Sequence, residues 1–141
     1  VTRYISLAEY LWLAEQVTGV EAAVLSKAAR TELADSALHA PQAAFGGHEF
    51  YVELADKAAV LVCRLAWNHP LPDGNKRAAW ASLVMFLDLN DVQWDPDPPD
   101  VDDSEAAMLA IAAGQVDETW VADWLRHQAA FPAPPAAGIP S

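Results

Sequence analysis

The sequence predicts an all-α fold, a single helical bundle, and three observations carry the prediction. Alanine is abundant, while valine, isoleucine and threonine are too sparse for a sheet-dominated fold. Apolar residues recur at helical spacing in several separate segments. Those segments are bounded by helix caps, glycines and prolines. At 141 residues the chain can bury a core without disulfide or metal staples.

The first helix is the best marked. Ser6-Leu7-Ala8-Glu9 is a capping-box pattern, with a serine at the N-cap and a glutamate three residues later to bond back. Leu7, Leu11, Ala14 and Val17 follow at helical spacing, and Gly19 is placed to stop a helix over Leu7–Thr18. From Glu21 to Ala40 the pattern weakens to one short helix in which Leu33, Ala37 and Leu38 share a face, ended by Pro41. Phe45-Gly46-Gly47-His48 then predicts a turn, a short flap or hairpin within residues 43–51.

Leu54, Ala58, Leu61, Val62 and Leu65 give one face of a helix over Val52–Trp67. Two prolines and a glycine make Asn68–Gly74 a loop. Lys76–Leu89 is apolar nearly all round, so it is expected to be the central buried helix. Asp95–Asp103 resembles a calcium loop only in charge, because it lacks the turn glycine and is broken by prolines. A helix over Glu105–Ala113 is expected to stop at Gly114, and Asp117 to cap a last helix with Trp120, Val121, Trp124 and Leu125 on its apolar face. Phe131–Ser141 holds four prolines, so the folded domain is expected over residues 1–128, with residues 129–141 a tail, disordered or laid along a surface.

A net charge of −12 argues against electrostatically driven binding of nucleic acid. The lone Cys63 excludes an internal disulfide and a multi-cysteine metal site. His39, His48 and His127 show no metal-ligand spacing. No stretch is long and apolar enough for a membrane span, and the first ten residues lack a signal-peptide pattern, so a soluble, cytoplasmic protein is expected. Trp12, Trp120 and Trp124 are candidates to line an apolar groove for a partner peptide.

The chemistry concentrates in His69-Pro70-Leu71-Pro72-Asp73-Gly74-Asn75-Lys76-Arg77. The helix that begins behind it offers unpaired N–H groups and a partial positive charge, a ready anion site. Gly74 lets the backbone turn so that successive amides form a concave nest for phosphate oxygens. Lys76 and Arg77 are disfavoured at a helix N-terminus unless an anion offsets them. Asp73 is a hard oxygen ligand suited to Mg²⁺, which needs few carboxylates when phosphate supplies the rest. His69 is the natural general base for a hydroxyl.

These nine residues resemble the signature of the Fic/Doc superfamily, His-x-Phe-x-Asp/Asn-Gly/Ala-Asn-Lys-Arg, in its Doc (death-on-curing toxin) form. The likeness extends to Asp35-Ser36-Ala37-Leu38, Phe45-Gly46-Gly47, Leu54–Ala59, Phe86–Asn90 and Met108–Gly114, covering Tyr4 to His127. The resemblance implies the all-helical Fic fold and transfer of part of a nucleotide to a protein hydroxyl. Relatives that transfer AMP carry glycine after the asparagine and a second arginine; Lys76 and Trp80 stand at those positions here. Both departures match the Doc branch, which is similar to the AMP transferases but binds the nucleotide reversed and transfers the γ-phosphoryl group. Its target is a threonine of elongation factor Tu, and the modification blocks translation.

Carried over residue by residue, the resemblance makes His69 the base and Asp73 the Mg²⁺ ligand. Gly74 and Asn75 would cradle the phosphates of ATP, with Lys76 and Arg77 neutralising developing charge. Phe45, Gly46 and Gly47 would form the flap that pairs with the target backbone. Leu71 replaces the family's phenylalanine and is expected to pack less fully. Ala29-Arg30 and Glu32 depart from the Arg-Asp pair and glycine common in the family. The chain lacks a Ser/Thr-x-x-x-Glu-Gly/Asn inhibitory motif, so inhibition is expected from a small, separate Phd-like antitoxin. An AMP transferase of ordinary Fic type and a weakly catalytic binding module acting through an antitoxin complex are the alternatives.

Overall fold

A computed structural model describes residues 1–133. The elements are α1 (Leu7–Thr18), α2 (Ala22–Ala28), α3 (Thr31–His39), a 3₁₀ turn (Ala40–Gln42), β1 (Ala44–Phe45), β2 (His48–Glu49), α4 (Leu54–Asn68), α5 (Asn75–Leu89), β3 (Gln93–Trp94), α6 (Val101–Ala112), α7 (Glu118–Gln128) and β4 (Ala129–Ala130). The fold is an all-α bundle with two minimal antiparallel ladders, β1–β2 and β3–β4. Among the described residues no helix is long and apolar enough to cross a membrane.

The local signals act as expected where they are strong. Ser6 and Glu9 form the reciprocal capping box, and Gly19 closes α1 in the left-handed conformation at φ 75°. The two bonds to Ser6 hold the Glu9 carboxyl below its usual range. Asp117 caps α7 by accepting from the Trp120 amide at 2.8 Å. The acidic connector ends in a cap too. Asp100 accepts from the Asp103 amide at 2.7 Å, so α6 begins at Val101, earlier than its apolar pattern indicates. Asp102 and Asp103 then sit in its first turn, where the helix dipole favours them.

The centre of the bundle is α4 rather than α5. Ala55, Ala58, Ala59, Val60, Leu61, Val62, Cys63, Leu65 and Ala66 are all buried, and α3, α5, α6 and α7 pack around this one helix. Its alanines let neighbours approach on every side, which a one-faced reading of Leu54, Ala58, Leu61 and Leu65 cannot reveal. The apolar residues of α5 divide: Ala78, Leu83, Phe86 and Leu87 face the core, while Val84 is exposed.

The weak region between α1 and the hairpin holds two helices, α2 and α3, instead of one. Their break at Ala29–Arg30 turns the Arg30 amide towards the chemistry-bearing loop, where it donates to the Pro70 carbonyl at 2.8 Å. At the other end of the chain, β4 pairs with β3 and Ala129 is buried, so packing continues past residue 128. Residues 134–141 of the proline-rich tail lie outside the described residues.

Cys63 is fully buried on α4, and burial pushes its thiol up to about 12. A thiol so protonated and so covered reacts slowly. Labelling by a maleimide at neutral pH is expected to be at least about 100-fold slower in the native protein than in urea. Equal rates, read by mass spectrometry, would contradict the packing of α4.

Candidate active site

The site lies between two helices that meet at one loop. His69 closes α4 in the left-handed region at φ 48° and ψ 56°, an uncommon conformation for a residue other than glycine. The side chain is thereby turned off the helix and is exposed. Pro70 and Leu71 turn inward and are buried, Leu71 with only 4% of its surface accessible. Leucine therefore anchors the loop in the core despite its smaller size.

Asn75 locks the loop. Its side-chain oxygen accepts from the Leu71 amide at 2.9 Å, and its side-chain nitrogen donates to the Leu71 carbonyl at 2.9 Å. The amide group is thus committed to the loop's own backbone. Two further bonds brace the frame: Arg30 to the Pro70 carbonyl, and the Asn68 amide to the Leu33 carbonyl at 3.0 Å. The stretch around Ala29–Glu32 consequently supports the loop from behind.

Gly74 is the N-cap of α5, at φ 80° and ψ 17°, and supplies no side-chain cap. A Cβ there would lie 2.7 Å from Thr18 Cγ2, so this glycine is required both by its backbone and by the end of α1 pressed against it. The first helical bond runs from the Ala78 amide to the Gly74 carbonyl, which leaves the amides of Asn75, Lys76 and Arg77 without intrahelical partners. Helices α1, α6 and α7 have side-chain caps, and α3 and α4 have an acid in the first turn. α5, like the short α2, has neither, and it carries Lys76 and Arg77 in its first turn. An uncapped N-terminus bearing two cations is electrostatically favourable for an anion.

Lys57, Arg64 and Arg126 are each paired with carboxylates, whereas neither Lys76 nor Arg77 is paired with an acid among the described residues. Both are exposed and line a cavity of about 660 Å³, together with Val17, Trp80, Glu105, Met108 and Leu109. The cavity is mostly apolar and sits directly beside the amide nest, in the size range of small-ligand pockets.

Asp73 is exposed and is the one carboxylate of the loop. No group of three or more histidine, cysteine, aspartate or glutamate side chains gathers to hold a metal among the described residues. That donor set suits Mg²⁺ bound with phosphate, not a metal caged by protein ligands alone.

The structure brings His69, Asp73, Gly74, Asn75, Lys76 and Arg77 together. Phe45, Gly46 and Gly47 stand in the separate β1–β2 hairpin. Gly46 and Gly47 take φ 59° and 80° at its tip, the two positive angles of a type I′ turn, and Phe45 is 80% exposed. No hydrogen bond joins this hairpin to the loop among the described residues. Of the tryptophans, Trp120 stacks on Trp124, which packs on Trp80, which stacks on Trp94 at 6.0 Å. Trp12 is exposed and has no ring partner among the described residues. Thr18, the bracing Asn68 and the Arg30 backbone have no local signal in the sequence; their roles arise from contacts between distant segments.

A helical bundle with an exposed histidine at the end of one helix and an uncapped, cationic start to the next is the arrangement that the Fic/Doc resemblance implies. Residues 4–87, which include the whole loop, match the model of the Fic/DOC family. The chain belongs to that family. It is also similar to a protein of Mycolicibacterium smegmatis named "Toxin Doc", with 47% identity over 85 residues. The match takes in 60% of this chain and 65% of the relative's length, just under two thirds of the latter.

Proposed function

We propose that this protein is the toxin of a toxin–antitoxin pair and a protein kinase, which transfers the γ-phosphoryl group of ATP to a threonine of elongation factor Tu and so blocks translation. Family membership and the name of the similar protein support the toxin and its antitoxin partner. The observation that carries the kinase reading is Lys76, which stands where relatives that transfer AMP have glycine and adds a cation to an uncapped helix N-terminus. Trp80, at the place of their second arginine, is held in an aromatic stack and offers no charge to a phosphate.

In this reading His69 removes the proton of the target hydroxyl as its oxygen attacks the γ-phosphorus. The bond from that phosphorus to the bridging oxygen breaks, and ADP leaves. The free amides of Asn75, Lys76 and Arg77, with the two side-chain cations, stabilise the charge that spreads over the phosphoryl oxygens. Asn75 keeps the nest in shape through Leu71. Asp73 would hold Mg²⁺ with the phosphates, and the ion would supply further charge neutralisation. The Phe45-Gly46-Gly47 tip would offer its strand edge to the backbone around the acceptor.

The test is transfer from ATP labelled at the α or the γ position to purified elongation factor Tu. Label is expected to move from γ alone. Movement from α would establish AMP transfer instead, and Lys76→Gly tests whether this residue sets the choice. Movement of neither label, with wild type and a His69 variant equally inert, would favour a binding module.

A further inference from the structure

Lys57 is the most deeply buried charge among the described residues, and the chemistry of the loop does not use it. Only 1% of its surface is accessible, in the first turn of α4. A leucine or methionine there would fill the same space without taking an ammonium out of water. What the lysine provides is three donors, and all three are taken. Its Nζ donates to Glu49 Oε1 at 2.8 Å, to the Tyr4 hydroxyl at 2.9 Å and to the Pro41 carbonyl at 3.2 Å, and it lies 5.4 Å from the centre of the Tyr4 ring. Burial disfavours the charged form, but the bonds to Glu49 and Tyr4 outweigh it and hold the ammonium above its usual range.

The partners identify the purpose. Glu49 is the last residue of β2, and Pro41 lies in the turn that leads into β1. The β1–β2 hairpin has two residues per strand, all four exposed, a size that does not hold itself in place. Its other exposed side chains, Phe45 and the following Phe50 and Val52, leave it without an apolar anchor of its own. The ammonium therefore grips the hairpin at both its entry and its exit. It does so from the helix that ends in His69, about 18 Å further along the axis.

We infer that Lys57 is a positioning residue: it clamps the hairpin to α4, so that one rigid helix fixes the strand edge offered to a protein substrate relative to the base. The substrate part of this inference rests on the transfer reading above; the clamp itself does not. Lys57→Met keeps the length of the side chain and removes its charge, and Glu49→Gln weakens the same link from a half-exposed position that spares the core. Hydrogen exchange, read by NMR or mass spectrometry, is expected to quicken at least about 10-fold at Phe50 and the strand amides in both variants, with α4 and α5 still protected. With elongation factor Tu as substrate, KM for the protein is expected to rise at least about 5-fold, with kcat and KM for ATP within about twofold. The double variant is expected to be no worse than Lys57→Met alone.

Unchanged hairpin exchange in both variants overturns the clamp, as does loss of protection in hairpin and core together in both. Loosened hairpin amides with an unchanged KM for protein overturn the substrate role. A wild-type protein that modifies no elongation factor Tu overturns the transfer reading and the substrate role with it, while the exchange result still decides the clamp.

Discussion

His69→Asn is expected to leave the protein folded and to lower phosphoryl transfer by about 10²–10⁴-fold. The fold should survive because the imidazole is exposed and makes no hydrogen bond to another described residue. Asparagine also tolerates the left-handed backbone that His69 adopts at φ 48°, as alanine does less well. In the proposed mechanism the rate falls because no other side chain of the loop is placed to take the hydroxyl proton: Asp73 would hold the cation, and Lys76 and Arg77 are themselves charged. Nucleotide affinity should change by no more than about threefold, since in the proposed mechanism the α5 amides, and not the imidazole, hold the phosphates. Single-turnover transfer and nucleotide titration separate the two effects. A variant with wild-type transfer would remove His69 from the mechanism.

Gly74→Ala is expected to cost about 2–5 kcal/mol of stability and to abolish nucleotide binding. Two separate penalties add. A left-handed backbone at φ 80° costs an alanine about 1–2 kcal/mol. The new Cβ would lie 2.7 Å from Thr18 Cγ2, and forcing a methyl group into such a site costs about 1–3 kcal/mol. Gly19→Ala serves as the comparison, because Gly19 has φ 75° and a methyl group there would meet nothing within 4 Å; only the backbone penalty applies. Thr18→Ser removes the offending methyl while keeping the hydroxyl that donates to the Ala14 carbonyl at 2.7 Å. Combined with Gly74→Ala it should recover the steric part and leave the conformational part. Urea titrations of the four variants test this. Equal losses for Gly74→Ala and Gly19→Ala would show that α1 does not press on the loop.

The two results would also separate roles that the loop's density conceals. His69 would act through its ring and be removable without structural loss. Gly74 acts through having no side chain, and its replacement shifts the nest itself. Asn75 stands between them. The family resemblance gives it to the phosphates, while its side chain is bound at both ends to Leu71. In the proposed mechanism its effect on transfer is therefore exerted through the shape of the loop, with its backbone amide left without an intrahelical partner.

Much of this protein is written locally. The bounds of α1 follow from Ser6, Glu9 and Gly19, and the start of α7 from Asp117. The loop reads as an anion site because its signals, a glycine turn, an uncapped helix start and two adjacent cations, all act within one or two helical turns. The type I′ tip of the hairpin is legible for the same reason: two consecutive glycines permit two consecutive positive φ angles.

What the local pattern could not decide is which surfaces meet. Apolar periodicity marks a face but not its neighbours, so α5, apolar nearly all round, is expected at the centre that α4 in fact occupies. Thr18 against Gly74, Arg30 against Pro70 and Lys57 among Tyr4, Pro41 and Glu49 each join segments far apart in the chain. By itself the sequence determined the bounds of α1, the start of α7 and the uncapped, cationic start of α5, because capping and helix-end charge are interactions over a few residues. Only the tertiary structure decided why Gly74 admits no side chain, what braces the loop and what grips the hairpin, because those depend on atoms brought together by packing.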